Sequence, residues 1–222
     1  MKHNYLFFIL LLNLNILNGQ LKTNTEPTNI ISPPNPIELL LGNNRLAFQQ
    51  VSNKSFTACP KLKFFAITNF ATDYTNSEAN MDFISNAFLG GSLTKSTALG
   101  IGGYMSAKKG FYPAFAARWT LARKDYFIVA NPAIYLTEYR NLVFQAIGEY
   151  KPKWNKGLYG YFRGQILYNH NTKSAVHERS YFQSRIGIGK GRTQFGLAAN
   201  EDFYGPDRLL KENYGLFFRY VF

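Results

Sequence analysis

The sequence is poor in cysteine, in acidic residues and in long apolar runs, and each shortage excludes something. Cys59 is the only cysteine in 222 residues. One thiol allows no internal disulfide and no cluster of thiolate metal ligands. It is expected as a small, partly buried residue just before the first strong strand. Asp and Glu number 13 against 25 Lys and Arg, a formal net charge of +12. The basic residues are scattered, with no basic block, zinc-ligand spacing or RNA-binding aromatic motif, so nucleic acid is not expected as a partner. Attraction to an anionic lipid or polysaccharide surface accounts for the charge, and ordinary turn composition accounts for it equally. Charged residues total 17%, below the roughly 25% of an average soluble chain. Mean hydropathy is −0.21. Beyond the N-terminus no apolar run approaches the ~20 residues of a membrane-spanning helix. The glycines of "ALGIGGYMS" and "IGIGKG" lack phosphate-loop spacing and lie in strand-like segments, where glycine permits bends and close packing.

What the chain has is aromatics and alternation. Phe, Tyr and Trp make up 17% of it, with 20 Phe and 15 Tyr. The start, "MKHNYLFFILLLNLNILNGQLK", has a basic Lys2, an apolar stretch from Tyr5 to Leu17 and a small residue before Gln20. It reads as a secretory signal over 1–19, removed on export. Residues 20–60 read as an N-terminal periplasmic segment or plug. Its first part, "QLKTNTEPTNIISPPNP", is polar and Pro-rich. Its second part, "IELLLGNNRLAFQQVSNKSF", fits neither period cleanly. A short helix, a lumen plug and an early strand all remain open there, with a helical piece favoured.

From Lys61 the pattern changes to segments of about ten residues with period-two alternation, each closed by turn residues. Strands are expected near 61–72, 82–93, 96–107, 111–122, 125–136, 141–151, 157–169, 179–189, 192–202 and 213–222. In "GLYGYFRGQILYN", Leu158, Phe162 and Ile166 share one phase and Tyr159, Tyr161, Arg163 and Gln165 the other. The connections alternate between longer ("TDYTNSEAN", "HNTKSAVHE", "EDFYGPDRLLKEN") and tighter ("TKS", "ARKD", "KGR"), with "KPKWNK" out of order. The fold class expected is all-β: an antiparallel up-and-down transmembrane barrel of about ten strands, range eight to twelve, over residues 61–222. A soluble sandwich also alternates with period two, but it does not account for the unequal connections, the signal and the chain end together. In a membrane barrel one phase faces lipid and the other a polar interior. The interior candidates are Arg118, Glu149, Tyr159, Tyr161, Arg163, Gln165, Gln183, Arg185 and Arg219. About ten strands enclose an interior that such side chains largely fill, so a wide pore is not expected.

The chain ends "ENYGLFFRYVF", with Tyr214, Leu216, Phe218, Tyr220 and Phe222 in one phase. With the signal-like start and the run of hairpins, this ending resembles Gram-negative outer-membrane β-barrel proteins. The resemblance implies an outer-membrane location and contact with membrane lipid and lipopolysaccharide. It implies that the five terminal residues are the signal read by the barrel-assembly machinery. An envelope protein partner is a further expectation. It implies no activity, because such barrels include pores, adhesins, structural proteins and enzymes. The roles expected are structural, binding or narrow passive-channel, the alternatives being a surface-loop binding protein or envelope subunit and a rim hydrolase. His170, Ser174, His177, Glu178 and Ser180 border one predicted outer loop, and Glu201, Asp202 and Asp207 lie in or near the next. A His and carboxylate pair can polarise a water or a serine. Their spacing matches no enzyme motif, and neither catalysis nor a metal or cofactor is expected.

Overall fold

A computed structural model describes residues 35–75, 80–107 and 110–222. The signal sequence and the Pro-rich stretch up to residue 34 lie outside the described residues. The strands are β1 (Pro36–Gly42), β2 (Arg45–Ser55), β3 (Leu62–Asp73), β4 (Asp82–Ser92), β5 (Thr97–Ser106), β6 (Gly110–Ala122), β7 (Tyr126–Tyr135), β8 (Leu142–Tyr150), β9 (Leu158–Asn171), β10 (Val176–Lys190), β11 (Thr193–Tyr204) and β12 (Leu209–Val221). Each pairs antiparallel with its chain neighbours. β1 closes the ring against β12, from Pro36 opposite Val221 to Gly42 opposite Gly215. An even strand number places the start of β1 and the end of β12 at the same rim, called here the terminal end.

Twelve strands lie at the top of the expected range. The two extra strands are β1 and β2, where a helical piece or plug was favoured. The cause of the difference is Leu40. It points inward, fully buried with Tyr161 and Phe217, while Leu39 and Leu41 point outward. Three consecutive leucines therefore serve two faces, and the alternation disappears from the letters. The expected contrast between long and short connections also shrinks. Much of "HNTKSAVHE" and "EDFYGPDRLLKEN" is strand, leaving 172–175 and 205–208 as the links. The link at 151–157 keeps its length and holds a single 3-10 turn, Asn155–Gly157. Cys59 is exposed on the β2–β3 link.

The closing seam depends on backbone approach. A Cβ on Gly215 would lie 1.9 Å from the carbonyl oxygen of Leu41, and one on Gly42 would strike the amide of Asn213. That amide replaces a ladder rung. Asn213 Nδ2 donates to Arg45 O at 3.0 Å, and its Oδ1 accepts from the Arg45 amide at 2.9 Å. Most of the outer wall is apolar: Leu89, Ile101, Phe115, Phe144, Ile166, Phe182, Ile186, Leu197 and Leu216 are exposed. Exposed aromatics collect toward both rims, with Trp119, Tyr126, Tyr150, Trp154, Tyr220 and Phe222 at the terminal end and Phe111, Tyr139, Tyr168 and Tyr214 at the far end. One sector differs. On β2–β4 the outward phase includes Gln50, Ser52, Thr68 and Ser85, with the last two hydroxyls 2.8 Å apart.

Candidate functional site

Inward residues of every strand meet inside the ring, so the interior is the first place to look for function. A strand places alternate side chains on one face, and closure points that face at the opposite wall. Long polar side chains can then bridge the lumen, and here they do so at several levels.

Near the terminal end the centre is Glu149. It receives Arg219 Nη2 at 2.5 Å and Lys151 Nζ at 2.6 Å, with Arg163 Nε at 3.7 Å. Tyr161, with no exposed surface, accepts from Arg219 at 2.5 Å. Tyr159 accepts from Gln194 at 2.6 Å and donates to Gly191 O at 3.1 Å. At mid-height Arg185 donates to Glu38 at 2.7 Å and to Asn200 at 2.7 Å. Arg163 donates to Gln49 and Gln165, and Gln49 donates to Gln165 at 3.1 Å. Asn86 donates to Gln145 at 3.0 Å. Both Gln145 and Gln165 donate to the hydroxyl of Tyr181. Toward the far end Arg179 joins Asp82 at 2.8 Å and Asp202 at 2.9 Å, and Arg45 reaches Asp202 at 3.4 Å.

Each interior candidate thus has a place. Glu149, Tyr161, Arg163, Gln165 and Arg219 share one network, and Arg185 pairs with Glu38 and Asn200 beside it. Gln183 is buried beside it with Oε1 unpartnered. Arg118 lies apart: its guanidinium is 3.9 Å above the Phe65 ring, its Nε donates to Asn131 at 3.2 Å, and no carboxylate pairs with it among the described residues. Tyr214, Leu216, Phe218, Tyr220 and Phe222 all point outward and are exposed. Sequence reasoning missed Glu38 and Gln49, which lie on the unrecognised strands. It also did not assign Asp82, Arg179 or Asp202 to the lumen: all three are terminal residues of expected strands, and Asp202 counts there among the rim carboxylates. Continuing the period-two phase back from Tyr181 identifies Arg179.

Apolar contacts fill much of what the polar bridges leave. Val51, Phe65 and Ile67 meet Val129 and Ile147 from across the ring. Phe88, Tyr104, Ala114, Tyr135, Val143 and Leu167 form a second cluster. The gap beside Glu38, Gln49 and Arg185 has a cavity volume of only about 30 Å³, room for a few waters at most. A larger cavity of about 440 Å³ opens at the far end, over the second cluster. Tyr104, Tyr112, Tyr135, Tyr139 and Tyr204 line it, with Asp82, Arg179, Asn141 and Asn169. Among the described residues, no side chain is within hydrogen-bond geometry of the buried Tyr104 hydroxyl.

His170 and His177 lie outside the lumen. His177 Nδ1 is 2.6 Å from Gly205 O and its Nε2 is 3.0 Å from Ser180 Oγ. His170 lies flat beside Tyr168. Among the described residues, no group of three His, Cys, Asp or Glu side chains is placed to hold a metal ion.

A closed antiparallel ring with a bonded polar interior and a largely apolar outer wall is inverted relative to a water-soluble protein. In hydrocarbon every backbone polar group needs a partner, and strand closure supplies them all. The molecule therefore has the architecture of an outer-membrane β-barrel. No family model and no curated relative matches the chain. Among solved structures it is similar to the KdgM porin at 7% identity and a TM-score of 0.46, covering 86% of this chain and 99% of that one. It is similar to the NanC porin at 13% identity and a TM-score of 0.43, covering 85% and 98%.

Proposed function

We propose that this is a small integral outer-membrane barrel with a structural and ligand-binding role, in which conduction is limited to a narrow water path. One observation carries this: side chains from facing walls are bonded to each other across the lumen at several levels. An open aqueous pore needs separated walls. The ligand-binding part belongs to the tyrosine-lined cavity at the far rim, where a mainly apolar concave surface carries a few fixed polar groups. Any path past the network favours anions. The described interior holds Arg45, Arg118, Arg163, Arg179, Arg185 and Arg219 against Glu38, Asp82, Glu149 and Asp202. The location follows the same reading: outer membrane after export, with the terminal end periplasmic. Planar-bilayer recording tests it. Small, infrequent, anion-selective steps or a silent baseline are expected, and large stable openings would overturn the bonded-lumen account.

A further inference from the structure

A lipid-facing pair of side chains at the far rim has the geometry of an activated nucleophile. His177 and Ser180 are three apart in sequence, a spacing that a regular strand puts on opposite faces. The β9–β10 ladder slips between His177 and Arg179, where a bulge adds one residue. The slip returns His177 to the face of Ser180. Arg179 and Tyr181 point into the lumen, so this face is the outer one.

The bonding fixes the tautomer. A carbonyl can only accept, so His177 Nδ1 donates its proton to Gly205 O at 2.6 Å. In the neutral ring Nε2 then carries the lone pair. It lies 3.0 Å from Ser180 Oγ, within reach for taking a hydroxyl proton. The imidazole is buried and held from both sides, with the Tyr168 ring tilted against it at a centroid separation of 5.8 Å. Ser180 remains partly accessible.

We propose that Ser180 and His177 form a catalytic dyad that hydrolyses long-chain acyl esters of membrane lipid. The inference rests on the membrane placement argued above, and the lumen plays no part in it. The substrate class follows from position. Exposed Tyr168, Phe182 and Leu142 line the wall beside the pair, while Arg140 and Lys173 stand on the adjoining links. A lipid acyl chain lies along the former, its polar head meets the latter, and its ester group falls between them. Ser180 Oγ attacks the ester carbonyl carbon as His177 Nε2 takes its proton. The C–O bond to the alcohol breaks, and Nε2 passes that proton to the departing oxygen. Water then attacks the acyl-serine and gives a proton to Nε2. The acid leaves as that proton returns to Oγ. The net change is ester plus water to acid plus alcohol, with no redox change. The backbone carbonyl of Gly205 holds the orienting position that a carboxylate occupies in the familiar triad.

The test uses the folded barrel purified in detergent. A fluorophosphonate probe should label Ser180, located by mass spectrometry, and Ser180→Ala should abolish the label. Fatty-acid release is measured from phosphatidylethanolamine–phosphatidylglycerol micelles and, separately, from purified lipopolysaccharide. Release in one arm names the source of the ester. His177→Gln keeps hydrogen-bonding capacity but is a poor base, so release should fall at least about 100-fold while the heat-modifiable gel shift stays intact. An unlabelled Ser180 in folded wild type, or hydrolysis surviving Ser180→Ala, overturns the proposal. So does full activity in His177→Gln, which would leave the histidine only a tie between β10 and the β11–β12 link. Loss of the gel shift in wild type would instead count against the membrane-barrel reading.

Discussion

Glu149 and Arg118 are both inward-facing, yet their substitution should have unequal consequences. Glu149 is the shared acceptor of Arg219, Lys151 and, more distantly, Arg163. Removing it leaves buried cations without their counter-charge, and breaking a buried pair from one side costs about 3–5 kcal/mol. Glu149→Ala should therefore lower sharply the temperature at which the compact gel form converts to the unfolded one. Arg118 has an aromatic face and one amide as partners. A methionine of similar length keeps contact with Phe65 and abandons no carboxylate. Arg118→Met should leave the same transition nearly unmoved. Equal losses for the two variants would mean that the ion pairs are not what holds the interior. Planar-bilayer conductance of Glu149→Ala adds an independent reading, since a loosened bridge at the terminal end should raise it.

At the scale of the strand, the seam between β1 and β12 is where the ring closes or stays open. Gly215 lets the two backbones approach, and the Leu41 carbonyl oxygen occupies the space a methyl would need. Gly215→Ala should shift β12 against β1 and cut the yield of heat-modifiable barrel on refolding. A normal yield would show that the seam tolerates a side chain. The end of β12 poses a different question. Phe222 is exposed and follows the last paired residue, Val221. If the alternating end is an assembly signal, deleting Phe222 should reduce outer-membrane insertion in cells and leave refolding into detergent unchanged. Equal loss in both settings would make it a structural residue instead. Ten of the twelve strands were legible in the sequence because one of their phases is large and apolar and each ends in turn residues. The first hairpin was not, because Leu40 fills an apolar part of a mostly polar interior. The interior residues on the second-half strands could be read from phase alone. Their partners could not, since Glu38 with Arg185 is a contact across the ring that no local pattern encodes. The His177–Ser180 contact was hidden for a third reason: a bulge alters which face a residue occupies and leaves the letters unchanged.

Over the whole barrel, charge among the described residues is divided unequally between the two rims. The terminal-end links expose Lys61, Lys95, Arg123, Lys124, Lys153, Lys156 and Arg192, with Asp125 the acidic residue among them. The described far-end links are nearly balanced, with Arg140, Lys173 and Arg208 against Glu138 and Asp207. The positive collar stands just beyond the exposed Trp119, Tyr126, Tyr150, Trp154 and Tyr220. Aromatics of this kind sit at headgroup depth, so the collar lies level with lipid phosphates. A lysine or arginine near an anionic leaflet contributes about 1 kcal/mol, and the effect fades within a Debye length. The scattered charge of the sequence thus becomes a surface by folding. Reconstitution into phosphatidylethanolamine–phosphatidylglycerol vesicles should raise the unfolding temperature relative to phosphatidylcholine vesicles of equal chain length. High salt should remove the difference. Exchanging Lys153, Lys156 and Arg192 together for glutamine should remove part of it, because these side chains occupy neighbouring links on one side of the ring. A difference that persists in both high salt and the triple variant would place the lipid preference on the apolar wall.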